Sequence, residues 1–349
     1  MFRRFASAVV CIAALGTFGP SARAQLAGPG NEAATAAPAE RKQVQSWLMR
    51  IHEAASQRNF QGTFIVSAGG AVSSARIAHF SEGTNQYERI DSLDGQARHV
   101  FLHNEHVHTL WPQSRVATVE QREPLSSFPS LLQSGEDRIT DLYEVRQQTA
   151  ERVAGHDASV LMIKPRDAFR FGYRLWSDQA SGLLLRSDVL GERGELLESS
   201  AFSDVTIGIK SQSDLVLGPM KKLDGYRVLK PTMTPTKLDA EGWILRPNVA
   251  GFVQVSCVKR PLDGSMPDEA RGSSNGLEQA LQTIFSDGLT YVSLFIEPYN
   301  ADRHSKPILT AAGATHTLAR RQGDWWVTVV GDVPVGTLRA FAAGLERKK

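Results

Sequence analysis

A long run of short β-strand patterns, from Phe60 to Ile209, constrains the fold of this chain more than any other feature of its sequence. Stretches of branched and aromatic residues alternate with turn residues at hairpin-like intervals, and Asp94-Gly95 is a strong turn signal between two of them. Roughly a dozen such stretches with short links are typical of one large antiparallel sheet or an open barrel. We therefore expect a mainly β domain over residues 43–213. It begins with a helix near Gln43–Gln57, and Pro124–Gln133 interrupts the strands with a short helix.

Residues 1–24 have the pattern of a secretory signal peptide. Arg3 and Arg4 precede an apolar stretch, and Ala22-Arg23-Ala24 offers small residues at the positions that a signal peptidase reads. We expect cleavage after Ala24, which makes the chain an exported protein. Residues 25–42 contain little to bury and are expected to form a disordered leader.

The charge balance gives no reason to expect a nucleic-acid partner, and the cysteine content excludes an internal disulfide. Cleavage removes three arginines and no acid, which leaves 36 basic and 37 acidic residues and a net charge of −1. Proteins that bind nucleic acid usually carry a clear basic excess, so no nucleic-acid partner is expected. Cys257 is the one cysteine outside the signal peptide, so the exported chain forms no internal disulfide.

The sequence changes character after residue 213. The stretch that follows contains Pro219, Pro231 and Pro235, and we place an interdomain connection at residues 214–235. Residues 236–349 then predict a small α+β domain. Its predicted elements include a helix at Gly276–Ile284 and a closing helix at Val335–Leu345.

No segment carries a specific catalytic or metal-binding motif. Gly272–Gly276 (GSSNG) matches the Gly-x-Ser-x-Gly pattern of hydrolases, but no strand leads into it. His103, Glu105, His106 and His108 offer metal-ligand chemistry, yet a solvated hairpin between two strands is the simpler interpretation. We therefore predict a binding protein that has no catalytic residues, no metal and no cofactor.

The most informative segment is Lys164–Leu185. Phe171, Tyr173 and Leu175 alternate onto one face of a predicted strand, which packs on a core or lines an apolar cavity. Arg170, Arg174 and Trp176 alternate onto the other face and are candidates for binding an anionic ligand or a partner. An ordinary half-buried strand with a solvated basic side is the simpler interpretation of this pattern. The candidates for lining a lipid cavity are Phe64, Val66, Phe101, Leu161, Ile163, Phe171, Tyr173, Leu175 and Leu185.

Several short pieces of the sequence, taken in their order and spacing, resemble the MucB/RseB family of periplasmic regulators of the envelope-stress sigma factor. The resemblance runs from about Trp47 to Leu345, and the pieces carry it together because no single one is diagnostic. They are Ala75–His79 (ARIAH), Tyr87–Gly95 (YERIDSLDG), Arg152–Gly155 (RVAG), Pro165–Asp167 (PRD), Phe171–Trp176 (FGYRLW), Gly182–Leu185 (GLLL), Phe285–Leu289 (FSDGL) and Val330–Pro334 (VGDVP).

The resemblance implies a large half-open antiparallel β-barrel domain, similar to the lipoprotein-carrier (LolA-like) fold, and a smaller α+β C-terminal domain. It also implies a periplasmic protein that binds the periplasmic domain of a membrane-spanning anti-sigma factor of the MucA/RseA type. Such a protein shields the anti-sigma factor from site-1 proteolysis and so represses the sigma factor. Acyl chains of lipid or lipopolysaccharide relieve that protection. The sequence does not decide between a monomer and a homo-oligomer.

A periplasmic lipid or lipoprotein carrier is the alternative, because a fold alone does not fix a function. The second predicted domain, residues 236–349, separates the two hypotheses, since a simple carrier does not need it.

Overall fold

The computed structural model describes residues 38–121, 138–246, 249–262 and 279–348. The predicted signal peptide, residues 25–37 of the predicted leader, Pro124–Gln133 and the GSSNG stretch lie outside these residues. The helices are α1 (Pro38–Gln57), α2 (Arg138–Leu142), α3 (Asp214–Lys221) and α4 (Val335–Gly344). The strands are β1 (Phe60–Ala68), β2 (Ala71–Glu82), β3 (Asn85–Ser92), β4 (His99–His103), β5 (His106–Trp111), β6 (Val116–Gln121), β7 (Tyr143–Val153), β8 (His156–Pro165), β9 (Gly172–Asp178), β10 (Leu184–Leu190), β11 (Leu196–Ile207), β12 (Arg227–Leu229), β13 (Thr234–Pro235), β14 (Trp243–Leu245), β15 (Val253–Pro261), β16 (Gln279–Ser286), β17 (Tyr291–Pro298), β18 (Ile308–Ala312), β19 (Thr315–Gln322), β20 (Trp325–Gly331) and β21 (Leu345–Arg347). Within the described ranges, no helix is both long enough and apolar enough to span a membrane.

Twelve strands form one large sheet in the order β12-β6-β5-β4-β3-β2-β1-β11-β10-β9-β8-β7. Strand β1 pairs antiparallel with both β2 and β11, so the beginning and the end of the domain meet in the middle of the sheet. Only β12 joins in parallel, at one edge. The two edges, β12 and β7, are not bonded to each other, and the sheet stays open. The expectation of a large, open and mainly antiparallel β domain is confirmed.

Helix α1 covers part of one face of this sheet. Its buried residues Val44, Leu48 and Ile51 recur every three or four positions and share a core cluster with Leu161 of β8 and Leu175 of β9. The helix begins inside the predicted leader, at Pro38, where a proline removes no helical hydrogen bond. The predicted apolar stripe is therefore the surface that attaches α1 to the sheet.

The predicted interdomain connection, residues 214–235, contains regular structure. Helix α3 packs Val216 against the sheet face that carries Phe80, Phe101 and Leu110. Strand β12 then extends the first sheet beside β6, whereas β13 pairs with β15 of the second sheet. The chain thus crosses from one sheet to the other between Leu229 and Thr234.

The second domain is a seven-stranded antiparallel sheet with α4 on one face, in the order β13-β15-β16-β17-β20-β19-β18. Leu338 and Phe341 of α4 are fully buried against Leu294 and Val329 at the centre of the sheet. The chain leaves α4 as β21, which pairs with β14. The expectation of a small α+β domain is confirmed.

The prediction of a helix at Gly276–Ile284 is wrong for the part that the structure describes. Residues 279–286 form β16, which lies between β15 and β17. Ala280 and Leu281 are both buried, as are Ile284 and Phe285, although neighbouring residues of a strand point to opposite faces. A strand that is covered on both faces loses the polar-apolar alternation, and its apolar spacing then imitates that of a helix.

Candidate functional site

The residues predicted to line a cavity fall into three buried groups on the first sheet. Leu161, Ile163, Phe171, Tyr173 and Leu175 belong to one cluster, which includes residues of α1. Phe64 and Leu185 belong to the neighbouring cluster, and Val66 packs at its edge. Phe101 lies in the cluster that α3 covers.

Phe101 and Phe64 are on opposite faces of the sheet. Phe64 pairs with Ala75 on β2, whereas Phe101 pairs with Arg89, which in turn pairs with Ala78 on β2. Cross-strand partners share a face, and residues three apart on an uninterrupted strand point to opposite faces. Phe101 therefore does not line the same space as the other candidates, because the sheet stands between them.

Helix α1 occupies the face that carries Leu161, Tyr173 and Leu175. Polar contacts hold α1 at two points: Arg41 forms an ion pair of 3.0 Å with Asp141 of α2, and the Arg50 guanidinium donates to the carbonyl of Gln179 in the β9–β10 turn. An apolar ligand that enters on this face must displace α1 or lie beside it.

The cluster beneath α1 continues into the second domain. Leu289, before β17, and Ala314, in the β18–β19 turn, are buried in the same cluster as Tyr143 and Phe171. We call the contact between the two domains the seam. It is formed by Ala68 and by residues 142–143, 167–171, 250–252, 287–289 and 313–316.

Arg170 lies in the middle of the seam, with a side chain that is 0% exposed. Its Nε donates to Asp287 at 2.8 Å, and its two other guanidinium nitrogens donate to Asp167 and to the Ala250 carbonyl. The guanidinium plane also lies over the Phe252 ring, 5.0 Å from its centroid. Burial is the largest single influence and lowers the pKa of Arg170, but the charge of Asp287, together with Tyr143, Asp167 and the hydrogen bond to Asp287, outweighs it and raises the pKa, so that Arg170 stays charged.

Both oxygens of the Asp287 carboxylate accept hydrogen bonds. Its Oδ2 accepts hydrogen bonds from Arg170 and from the Tyr143 hydroxyl, which is 2.7 Å away. Its Oδ1 accepts from the backbone N–H groups of Leu289 and Thr290. Burial, followed by the negative charge of Asp287, raises the pKa of Tyr143 well above its usual value, so the phenol keeps its proton. The seam thus neutralises its buried charges internally.

A glycine next to the Arg170 guanidinium leaves room for it. Gly251 has a φ of +78°, and a Cβ placed there would lie 2.6 Å from Nη2 of Arg170. A residue with a side chain is disfavoured at this φ and would also collide with the guanidinium. On the other side of the seam, the Thr337 hydroxyl donates to the Phe169 carbonyl at 2.8 Å.

These contacts correct the sequence-based placement of Arg170. The alternating pattern put it on a solvated face with Arg174 and Trp176, whereas β9 begins only at Gly172 and Arg170 lies before it, in the seam. Its donors are already engaged by two carboxylates and a carbonyl. The geometry does not favour Arg170 as the binding site of an external anion.

Arg174 and Trp176 do share a face, and Arg186 joins them. Trp176 is only 1% exposed: it belongs to the buried cluster that contains Val160, Leu183 and Leu185, and the guanidinium groups of Arg174 and Arg186 lie over its ring, at 5.0 and 4.4 Å from the centroid. The indole N–H donates to Glu151, which also accepts from Arg174 at 3.0 Å. Arg174 and Arg186 keep 34% and 35% of their side chains exposed, so solvent or a ligand reaches both. Arg186 is held by both oxygens of the buried Asp188, whereas the partner of Arg174, Glu151, is itself exposed.

The histidine cluster at the β4–β5 turn is a hairpin in the structure. His103 pairs directly with His106, and the ring of His103 stacks on Tyr87 at 4.8 Å. Across the described parts of the chain, no group of three or more potential ligands is arranged to hold a metal ion.

Sequence reasoning missed the seam, and in particular Asp287, Tyr143 and Asp167. Two of the short pieces noted above contain its acids: Pro165–Asp167 and Phe285–Leu289. Arg170 and Asp287 are 117 positions apart, so no local pattern connects them. The one feature of the sequence that could have indicated this site is an acidic residue, Asp287, between two largely apolar stretches.

Comparisons with known proteins extend over both domains. The family model of the MucB/RseB N-terminal domain matches residues 43–220, and that of the MucB/RseB C-terminal domain matches residues 237–346. The sigma factor AlgU regulatory protein MucB of Pseudomonas aeruginosa is 29% identical over 312 residues, which cover 86% of this chain and 89% of that protein. The sigma-E factor regulatory protein RseB of Haemophilus influenzae is 24% identical over 307 residues, or 87% of this chain and 91% of that protein.

A solved structure agrees over the same length. The crystal structure of MucB in complex with MucA(peri) aligns with a TM-score of 0.63 and 26% identity, and it covers 87% of this chain and 98% of the MucB chain. Both family models match in chain order and account for both sheets of the structure. This chain belongs to the MucB/RseB family.

Proposed function

We propose that this protein binds the periplasmic domain of a membrane-spanning anti-sigma factor and shields it from site-1 proteolysis, which keeps an envelope-stress sigma factor repressed. The observation that carries the proposal is the match of both domains to a family whose member MucB has been crystallised with MucA(peri). The relatives' names describe regulators of sigma factors. The proposed location is the periplasm.

The seam supports this role physically. A binding surface that spans two domains is costly to organise if the domains move independently, because ordering them opposes association. Here the buried contacts of Arg170, Asp287 and Tyr143 fix the domains before any partner arrives. We therefore expect the anti-sigma factor to contact both domains, with the second domain and the connection at residues 214–235 as the principal surface.

We further propose that an acyl chain of lipid or lipopolysaccharide relieves the protection by competing with α1. Leu48 and Ile51 of α1 belong to the same buried cluster as Leu289 and Ala314 of the second domain. Displacement of α1 would therefore loosen packing at the seam. A ligand releases a partner only through its different affinities for the bound and free states, and a coupling of about 1–3 kcal/mol is typical.

Arg174 is the proposed contact for an anionic group of that ligand or of the partner. About one third of its side chain is exposed, its guanidinium lies over the Trp176 ring, and its ion pair with Glu151 is accessible to solvent. An exposed ion pair of this kind is weak, so an incoming phosphate or carboxylate competes for the guanidinium at little cost.

Isothermal titration of the exported chain with the purified periplasmic segment of the host's anti-sigma factor tests the proposal. We expect saturable binding that lipopolysaccharide weakens, and we expect Arg174→Glu to reduce the response to lipopolysaccharide. Binding that lipopolysaccharide leaves unchanged would refute the lipid signal alone. Absence of binding, together with stoichiometric extraction of acylated substrates from vesicles, would favour the lipid-carrier alternative.

A further inference from the structure

The two large sheets end in four edge strands within the described residues: β12 and β7 in the first sheet, and β13 and β18 in the second. Edge strands expose unpaired backbone groups, and proteins usually protect them with charges, proline, bulges or short length. Strand β7 contains charged residues and a register shift between Gln148 and Glu151. Strand β12 has three residues, and β13 has two and ends in Pro235. Three of the four edges are therefore protected.

Strand β18 is also short, but it has no charge, proline or bulge within it. It comprises five residues, Ile308–Ala312, and its register with β19 is uninterrupted. Ile308 and Leu309 are large apolar residues that are 43% and 48% exposed. They are consecutive, so they extend the two opposite faces of the sheet beyond Ala319 and Leu318 of β19. A further strand at this edge would find an apolar neighbour on each face.

This edge leads directly to the seam. In the turn after β18, Gly313 lies against Ala68 and Glu198 of the first domain. Gly313 meets the side chain of Ala68, whereas Val72 pairs with Ser67 and therefore points to the other face of the first sheet. Ile308 and Leu309 are two of the six large apolar side chains that are exposed among the described residues, and they are the two that are consecutive and lie on one edge strand.

We propose that the outer edge of β18 binds an extended, uncharged and apolar segment of the anti-sigma factor's periplasmic domain as an added β-strand. The inference rests on the proposed function and names the surface that performs it. Main-chain hydrogen bonds to β18 supply affinity, while the residues that alternate along the added strand meet Ile308 on one face and Leu309 on the other.

A second copy of this chain is a less suitable occupant. Five strand residues span roughly 17 Å, and pairing along so short an edge buries far less than the roughly 1,200–2,000 Å² of a standard stable interface. A peptide added as a single strand needs only this length of edge, because main-chain hydrogen bonds to β18 and side-chain contacts with Ile308 and Leu309 supply its affinity.

The test compares two lysine substitutions in the full exported chain. Leu309→Lys places a charge on the β18 edge, and Leu93→Lys places the same charge on a leucine of nearly equal exposure (46%) between β3 and β4. We expect Leu309→Lys to weaken binding of the purified periplasmic segment at least tenfold, and Leu93→Lys to change it less than twofold. Ile308→Lys should also weaken binding. Circular dichroism and thermal melting confirm that each variant is folded.

Hydrogen exchange provides the second measurement. Alternate N–H groups of an edge strand point away from its neighbour, so about two or three amides of β18 should exchange rapidly in the free chain and slowly in the complex. If the wild-type chain binds the segment, while Leu309→Lys binds as well and β18 gains no protection, the β18 inference fails and the proposed function stands. If the wild-type chain does not bind at all, both fail. Protection of β18 that appears with protein concentration alone would instead identify a second copy as its occupant and overturn the inference.

Discussion

At the scale of single residues, Asp287 determines how the seam is held together. An ionised carboxylate inside a protein loses several kcal/mol of solvation, and only charge partners and hydrogen bonds offset that loss. Asp287 has four such contacts, from Arg170, Tyr143 and two backbone N–H groups. The arrangement stabilises the seam only while all members are present, because removing one leaves a buried charge without compensation.

We therefore expect Arg170→Met to destabilise the protein by about 3–5 kcal/mol. The matched control is Arg174→Met, which removes a guanidinium from a partly exposed ion pair and should cost about 1 kcal/mol or less. Urea denaturation followed by circular dichroism measures both. Equal losses in the two variants would show that the buried pair contributes no more than the exposed one.

His79 predicts a dependence of stability on pH. Its ring is 0% exposed and stacks on Phe60, and its Nδ1 lies 2.8 Å from the Arg58 carbonyl. The carbonyl accepts only, so Nδ1 carries the proton, and Nε2 has no hydrogen-bond partner among the described residues. Burial lowers the pKa of His79 below its usual value, although the bond to Arg58 acts in the opposite direction.

A base whose pKa is lowered by folding binds protons more readily in the unfolded chain. Its contribution to stability is complete above the unfolded pKa of 6.5 and is lost as the pH falls below it. We expect the free energy of unfolding to decrease from about pH 7 to about pH 5, and to decrease less steeply in His79→Gln. His106→Gln, at the exposed β4–β5 turn, is the control. An identical pH slope in wild type and His79→Gln would contradict this assignment.

At the scale of elements, the polar residues of a strand decided whether its pattern was interpreted correctly. Tyr173 and Trp176 are buried on opposite faces of β9, at 4% and 1% exposure, but Arg174 between them keeps the alternation visible. The turn signal at Asp94-Gly95 lies between β3 and β4, as predicted. Strand β16 is buried on both sides and was predicted as a helix. Similarly, the sequence predicted buried side chains at Phe64 and Phe101 but not that the sheet separates them, because strand register depends on pairing partners.

Helix α1 is the element that a lipid would have to move. Leu48 is 0% exposed in the cluster that joins α1, the sheet and the second domain. Leu48→Ala should cost about 2–5 kcal/mol of stability, as is usual for a buried leucine. If an acyl chain takes the place of α1, the same change should tighten the binding of a fluorescent fatty acid, because only the docked state of α1 is weakened.

The control for that experiment is Ser46→Ala, on the exposed side of α1, which should change neither quantity. A Leu48→Ala variant that loses stability but binds the fatty acid no better would show that α1 and the acyl chain do not compete.

At the scale of the whole molecule, the seam makes the two domains depend on each other. The contact of Gly313 with Ala68 offers a specific way to open it: Gly313 has a φ of +59°, and a Cβ there would lie 2.6 Å from the Ala68 Cβ. Gly323 has a similar φ of +61° with open space around it. Alanine at either position carries a similar backbone strain of about 1 kcal/mol, but only Gly313→Ala also forces the β18–β19 turn away from the first domain.

We expect Gly313→Ala to separate the unfolding of the two domains into two calorimetric transitions and to weaken anti-sigma binding. Gly323→Ala should keep the transition and the affinity of the wild-type chain, apart from a small loss of stability. If the two variants behave alike, the docking of this turn does not couple the domains.

Shielding of a membrane-bound anti-sigma factor predicts that this protein lowers the rate of the first cleavage. The host's full-length anti-sigma factor is reconstituted in vesicles with its site-1 protease, and cleavage is followed with and without a stoichiometric amount of this protein. We predict that the protein slows the first cleavage strongly and that added lipopolysaccharide restores it. A cleavage rate that does not change when this protein is present in excess would contradict the claim.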